Sequence, residues 1–173
     1  MKNIFVVGTS GSGKSTLARK IAKKLGIPHI EMDEIVWLPN WQKRDPDEYK
    51  QIIEQLMLEN PQVVIDGNFL GDKVEPKSGD TLVFLDLPRL LVFSRIVRRS
   101  LSRVIFRKEL WSGNREQWKF LLSRNPEINP VLWSWISHER RRQSYLQYSA
   151  SRLDLEITRI TNQKELKKFL DSI

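Results

Sequence analysis

Apolar positions along the chain alternate between two rhythms. Ile4-Phe5-Val6-Val7 is a short unbroken apolar run, the pattern of a strand buried on both faces. After a polar, glycine-rich interval, Leu17, Ala18, Ile21, Ala22 and Leu25 recur at helical spacing. Gly26 is placed to cap that helix, and Pro28 follows just beyond. His29–Met32 reads as a second strand ending at Asp33. Residues 34–45 read as a loop rich in Trp and Pro. Tyr49, Ile52, Ile53, Leu56 and Met57 mark an amphipathic helix that Asn60-Pro61 ends. Val63–Gly67 is a third strand, and Thr81–Asp86 a fourth. Between them, residues 67–79 are polar, with room for at most a short helix.

Pro88 suits the first turn of a helix running through Leu91, Ile96 and Val97. A helix is predicted over 131–148. Leu153–Ile157 alternates as a fifth strand, and Leu166, Phe169, Leu170 and Ile173 form the stripe of a closing helix. Asn162 and Glu165 loosely match a capping box at its start. No internal repeat or low-complexity tract is visible. Strands alternating with helices predict an α/β fold with a parallel sheet and ligands at the strand C-termini.

Composition narrows the class. With 173 residues, 40% of them hydrophobic, the chain reads as one domain over 1–173 with a real core. No apolar run approaches the ~20 residues that cross a bilayer, and the first apolar run is too short for a secretory signal. A cytoplasmic protein without membrane association is the expectation. The absence of cysteine excludes disulfides and thiolate zinc sites.

Charge is uneven. Residues 89–142 hold thirteen Lys/Arg against four Asp/Glu, a net of +9, while the rest of the chain carries −1. Eleven of the thirteen are arginine, whose planar fork grips phosphate oxygens in pairs. Those phosphates can belong to a nucleotide in a cleft or to a nucleic-acid backbone. A solvated basic face would normally carry more lysine.

The interval after the first strand is Gly8-Thr9-Ser10-Gly11-Ser12-Gly13-Lys14-Ser15, followed by Thr16. It matches the Walker A phosphate-loop pattern without a mismatch, and it stands between a strand and a helix, the context that pattern requires. Glycines let successive backbone N–H groups turn inward onto a triphosphate. Lys14 supplies a cation for the β- and γ-phosphates, the Ser15 hydroxyl a ligand for Mg²⁺, and Thr16 lies where an α-phosphate meets the helix N-terminus. ATP with Mg²⁺ is the expected cofactor pair.

Three acids end strands: Asp33, Asp66 and Asp86. An apolar strand ending in Asp orders Mg²⁺ or its waters. Val63–Asp66 is the better match, and Asp86 is the other candidate. Asp33 is placed to accept a hydroxyl proton from an acceptor or to bond an acceptor base; a turn-forming or capping role is its alternative. Arg95 and Arg99, four apart on the predicted helix, face one way, with Arg98 partly beside them, and can neutralise charge that develops during phosphoryl transfer. Arg140, Arg141 and Arg142 fan out around a helix, so one of them at most faces a ligand. Trp133 and Trp135 read as core or interface residues rather than base-stacking platforms.

With these residues placed, the chain resembles the nucleoside and nucleotide kinase group of P-loop proteins and is similar to adenylate kinases. Within that group it looks most like the bacterial proteins named DNA topology modulation proteins. Val64-Ile65-Asp66-Gly67 resembles the Asp-Gly strand end of adenylate kinases, but Asn68-Phe69-Leu70 follows where those enzymes carry Phe-Pro-Arg. The arginine that binds a monophosphate is therefore missing there. Arg95 and Arg99 match the paired arginines that open the adenylate-kinase lid. The tracts Arg107–Glu116 and Asp33–Trp41 resemble the topology-modulation subgroup.

The resemblance implies a five-stranded parallel sheet in order 2-3-1-4-5 and a mobile helical lid over about 100–128. Arg95, Arg99 and Arg115 would close from that lid. The expected activity is transfer of a phosphoryl group from Mg·ATP to a small acceptor, a nucleotide, nucleoside or other hydroxylated metabolite. The alternative is a nucleic-acid-associated ATPase or regulator that uses the basic 89–142 segment in weak, non-specific contact with a phosphate backbone.

Overall fold

The computed structural model describes residues 2–68 and 74–173. Five strands, β1 (Ile4–Gly8), β2 (His29–Glu31), β3 (Val64–Asp66), β4 (Thr81–Leu85) and β5 (Glu156–Ile160), form one all-parallel sheet in the order β2-β3-β1-β4-β5. Among the described residues, seven helices connect or flank them: α1 (Lys14–Leu25), α2 (Met32–Val36), α3 (Pro46–Glu59), α4 (Arg89–Ile105), α5 (Trp118–Leu121), α6 (Pro130–Ser151) and α7 (Gln163–Ser172).

The unbroken apolar runs are explained by burial on both faces. In β1, Ile4 and Val6 point to a core completed by Leu17, Ala18 and Ile21 of α1, with Leu166, Phe169 and Leu170 of α7 packed against it. Phe5 and Val7 point to the other core, which holds Tyr49 and Ile53 of α3 and Tyr145 of α6. The chain reverses sheet direction at β1, with β3 on one side and β4 on the other. Such a switch point opens a crevice at the strand C-termini, and the Gly8–Lys14 loop leaves β1 into it.

Several elements depart from their predicted bounds. The fifth strand runs three residues later than its alternation suggests. Arg152 grips Asp154 with two bonds of 2.7 and 2.8 Å, and Leu155 N–H donates to the Arg152 carbonyl, so 152–155 turn. Leu153 is left 93% exposed, while Leu155 still reaches the core. The 34–45 segment is not wholly loop: α2 follows β2 without a break and places Asp33 in its first turn, and residues 39–42 make a left-handed turn with positive φ at Asn40 and Trp41. Residues 100–105 of the predicted lid belong to α4, which runs to Ile105.

The capping box is present in altered form. The Asn162 side chain accepts from the Glu165 N–H at 3.0 Å, and the Glu165 carboxylate accepts from the Thr161 N–H at 2.7 Å. Residues 69–73 of the polar 67–79 interval, including Phe69 and Leu70 of the adenylate-kinase comparison, lie outside the described residues. No helix among the described residues is long and apolar enough to cross a membrane.

Candidate active site

The phosphate loop is shaped for an anion. Gly8, Gly11 and Gly13 all hold positive φ, at 155°, 89° and 97°. A Cβ on Gly11 would lie 2.8 Å from the Val92 carbonyl, so the loop also needs glycine for close approach to α4. Helix α1 starts at Lys14 with no side-chain cap and no acid in its first turn. Its first-turn N–H groups and its positive end therefore face the crevice without an internal counter-charge. The buried Ser12 hydroxyl has no partner, an orphan that a phosphate oxygen would satisfy. Ser10, Gly11, Ser12, Gly13, Lys14, Ser15 and Thr16 line one cleft of about 560 Å³, and Gly8 holds the loop's base against Leu85.

Sheet register assembles the acids. Glu31 of β2 pairs with Asp66 of β3, and His29 pairs with Val64 two residues earlier, so His29, Glu31 and Asp66 share the face toward α1. The Ser15 hydroxyl donates to Asp66 Oδ2 at 2.5 Å, and His29 Nε2 lies 2.7 Å from Asp66 Oδ1. A hydroxyl against a buried carboxylate is a hard-oxygen pair that fits Mg²⁺. Glu31 accepts from Trp111 Nε1 at 3.1 Å. Its pKa is raised, first by burial and then by the charges of Asp66 and Asp33. Asp33 lines the same cleft.

Asp86 is placed differently. It is buried beneath two arginines: Arg142 Nε donates to Oδ1 at 2.7 Å, and Arg159 Nε donates to Oδ2 at 2.9 Å. Both carboxylate oxygens are occupied within a structural ion-pair cluster, away from Ser15.

Three arginines of α4, at one-turn spacing, reach the cleft. Arg95 donates to the Ser12 carbonyl at 3.0 Å and so ties α4 to the loop. Arg99 Nη2 approaches the Ser10 hydroxyl at 3.4 Å. Its surface is open to the water of the cleft, but protein crowds it and Arg103 repels it, which lowers its pKa to about 10. It stays cationic at neutral pH. Arg103 pairs with the buried Glu116 at 2.7 Å and lines the cleft beside Trp111. Burial lowers the pKa of Arg141, which the charge of Asp33 offsets in part, and Arg142 of the same triplet is taken up by Asp86.

Arg115 is not brought to the cleft. It sits exposed on a hairpin, paired with Glu109 at 3.0 Å, because the chain reverses at 111–114 and turns its side chain outward. Arg98 is exposed. Trp133 and Trp135 are half-buried rather than core. Trp135 lies under Arg89 at 3.7 Å, and Trp133 stands beside Arg140 and Arg141.

Sequence reasoning passed over His29, Glu31 and Trp111. The signal for the first two is register: both take the Asp66 face only once β2 is paired with β3.

Comparison with known proteins places this cleft in a family. Residues 7–87, the loop through the end of β4, match the family described as an AAA domain. Over 110 residues the chain is 33% identical to a shikimate kinase of Persephonella marina, covering 55% of this chain and 67% of that enzyme. The chain belongs to the P-loop kinase family that includes the shikimate kinases. An uncharacterized protein, YqaC of Bacillus subtilis, is 32% identical over 104 residues, and this P-loop kinase chain matches 58% of its length, less than two thirds. Among solved structures, a shikimate kinase from Acinetobacter baumannii in complex with shikimate shares the fold with a TM-score of 0.53 at 18% identity, covering 99% of this chain and 90% of that one. An unliganded sugar kinase from Janibacter sp. HTCC2649 shares it with a TM-score of 0.55 at 14% identity, covering 99% and 91%.

Proposed function

We propose that the chain is an ATP-dependent kinase of a small hydroxylated acceptor. The observation that carries this reading is the convergence in one cleft of an uncapped helix N-terminus with Lys14, the Ser15–Asp66 pair, three α4 arginines, and Asp33 on the far side. The loop N–H groups and Lys14 would hold the nucleotide phosphates. Ser15 and Asp66 would hold Mg²⁺, which when bound shields phosphate charge from an incoming nucleophile. His29 fixes the Asp66 carboxylate.

Asp33 would take the acceptor hydroxyl's proton as that oxygen bonds to the γ-phosphorus and the bond to the β–γ bridging oxygen breaks. Arg99 carries the charge that spreads over the transferring group. Arg99, a cation lining the same cleft as Asp33, suits an acceptor that bears an anionic group as well as a hydroxyl.

This arrangement favours a kinase over the nucleic-acid reading. Arg95, Arg99 and Arg103 turn into one cleft, and Arg142 is spent on Asp86. A phosphotransfer screen with γ-labelled ATP tests the reading across nucleosides, nucleotides, sugars and hydroxy acids, shikimate included because several similar proteins bear its name. Label appearing in one small acceptor, and lost in Lys14→Ala, supports it. Label in none of these classes, with hydrolysis stimulated by DNA instead, refutes it.

A further inference from the structure

Two hairpins of one design meet at the acceptor end of the cleft. In the first, Trp37 bridges Lys43, Leu38 N–H donates to the Gln42 carbonyl at 2.8 Å, and Asn40 and Trp41 both hold positive φ, at 59° and 58°. In the second, Glu109 bridges Arg115, Leu110 N–H donates to the Asn114 carbonyl at 2.7 Å, and Ser112 and Gly113 hold positive φ, at 54° and 75°. Two consecutive left-handed residues at a tip are the mark of a type I′ turn. Only the leucines are identical between Leu38–Gln42 and Leu110–Asn114, so the duplication is invisible in the sequence.

The hairpins are fastened by side chains of the second. Asn114, 5% exposed, accepts from the Trp41 N–H at 2.8 Å and donates to the Leu38 carbonyl at 2.9 Å. It also donates to its own hairpin at the Trp111 carbonyl, at 2.9 Å. The Ser112 hydroxyl donates to the Trp37 carbonyl at 2.7 Å. Trp41 is a bulky residue in a left-handed conformation that L side chains rarely adopt. That strained tip is held at its N–H by Asn114.

The first hairpin follows directly from α2, which carries Asp33. The second returns to α4 through the Glu116–Arg103 pair and presents Trp111 to the cleft, bonded to Glu31. The fastening therefore joins the acceptor side to the arginine helix.

We propose that Asn114 is the latch of a two-hairpin gate. While it is fastened, Trp111 walls the Glu31–Asp33 end of the cleft. An acceptor enters or leaves when 37–43 and 109–115 part, and must be small enough to lie beneath Trp111. The size limit rests on the kinase reading above; the latch itself does not.

Hydrogen exchange of the full chain, without ligand, tests the latch separately from activity. Asn114→Ala should speed exchange at least tenfold in both 37–43 and 109–115, while segments in β1 and α1 keep wild-type rates. Ser112→Ala, at an exposed position, should move the same two segments by a smaller factor. Asn114→Asp should behave like Ala, because a carboxylate cannot donate to the Leu38 and Trp111 carbonyls. Faster exchange in 109–115 alone, with 37–43 unchanged, overturns the latch, and so does loss of protection throughout the chain in Ser112→Ala.

Release of a fluorescent ATP analogue with Mg²⁺ gives a functional readout. It should quicken at least threefold in Ser112→Ala, at unchanged melting temperature. Unchanged release with coupled exchange of both hairpins would refute the wall at Trp111. Absence of any analogue binding in the wild type would instead count against the kinase reading and leave the exchange result as the test of the latch.

Discussion

Asp66 and Asp86 both end apolar strands, yet the structure gives them opposite surroundings, and two isosteric substitutions should separate them. Asp86 is 7% exposed and faces Arg142 and Arg159. Removing one member of a buried ion pair costs ~3–5 kcal/mol when the remaining charge is trapped. Here the arginine side chains are 30% and 45% exposed, so both can turn to water, and an Asn oxygen can still accept one bond. The cost of Asp86→Asn should fall to about 2 kcal/mol, which for a chain of this size lowers the melting temperature by roughly 4–8 °C.

Asp66→Asn keeps an acceptor for the Ser15 hydroxyl and a partner for His29, so the ligand-free melting temperature should move little. Its effect should appear with ligand. If the cleft binds it as proposed, Mg·ATP at a hundred times its Kd should stabilise the wild type by about 2.7 kcal/mol. Asp86→Asn should keep that increment, and Asp66→Asn should lose most of its Mg²⁺-dependent part. Thermal scans of both variants with ATP, with and without Mg²⁺, provide the measurement. A ligand-free loss in Asp66→Asn as large as that of Asp86→Asn, with a full Mg²⁺-dependent increment retained, would refute the assignment of both acids.

Other perturbations bear on the same cleft. Glu31→Gln should raise the ligand-free melting temperature at neutral pH. The folded state holds the Glu31 carboxyl above its usual pKa, so ionising it costs stability as pH rises through that value; the gain should vanish in acid, below the ordinary Glu range, which melting curves from pH 4 to 8 would show. Lys14→Ala should fold normally and weaken ATP binding by at least ~2 kcal/mol, about thirtyfold, by calorimetric titration. Arg99→Ala should lower kcat more than ~10²-fold once an acceptor is found, with Arg99→Lys restoring only part, while ATP affinity falls much less. Asn162→Ala removes the cap bonded to the Glu165 N–H and should cost about 1 kcal/mol in urea unfolding.

The sheet and the phosphate loop are local in origin, and the sequence carried them. An apolar run buried on both faces, a glycine loop and a helical stripe are each written in neighbouring residues, so β1, the loop and α1 follow from the pattern at 4–25. Alternating strands and helices implied a parallel sheet, and the family resemblance supplied its 2-3-1-4-5 order. The misplaced fifth strand shows the limit of local patterning: Leu153–Ile157 alternates, but the Arg152–Asp154 turn and pairing with β4 decide where the strand begins.

The cleft's chemistry was only half legible for the same reason. Lys14 and Ser15 belong to a contiguous motif. Which acid meets Ser15, which arginine of 140–142 is taken up by Asp86, and why Arg115 turns outward depend on register and on chain reversals between residues far apart in sequence. His29 and Glu31 join Asp66 only because two parallel strands align them. Asn114 bridges 73 residues to Trp41 through a backbone N–H, which every non-proline residue carries and no pattern of side chains reveals.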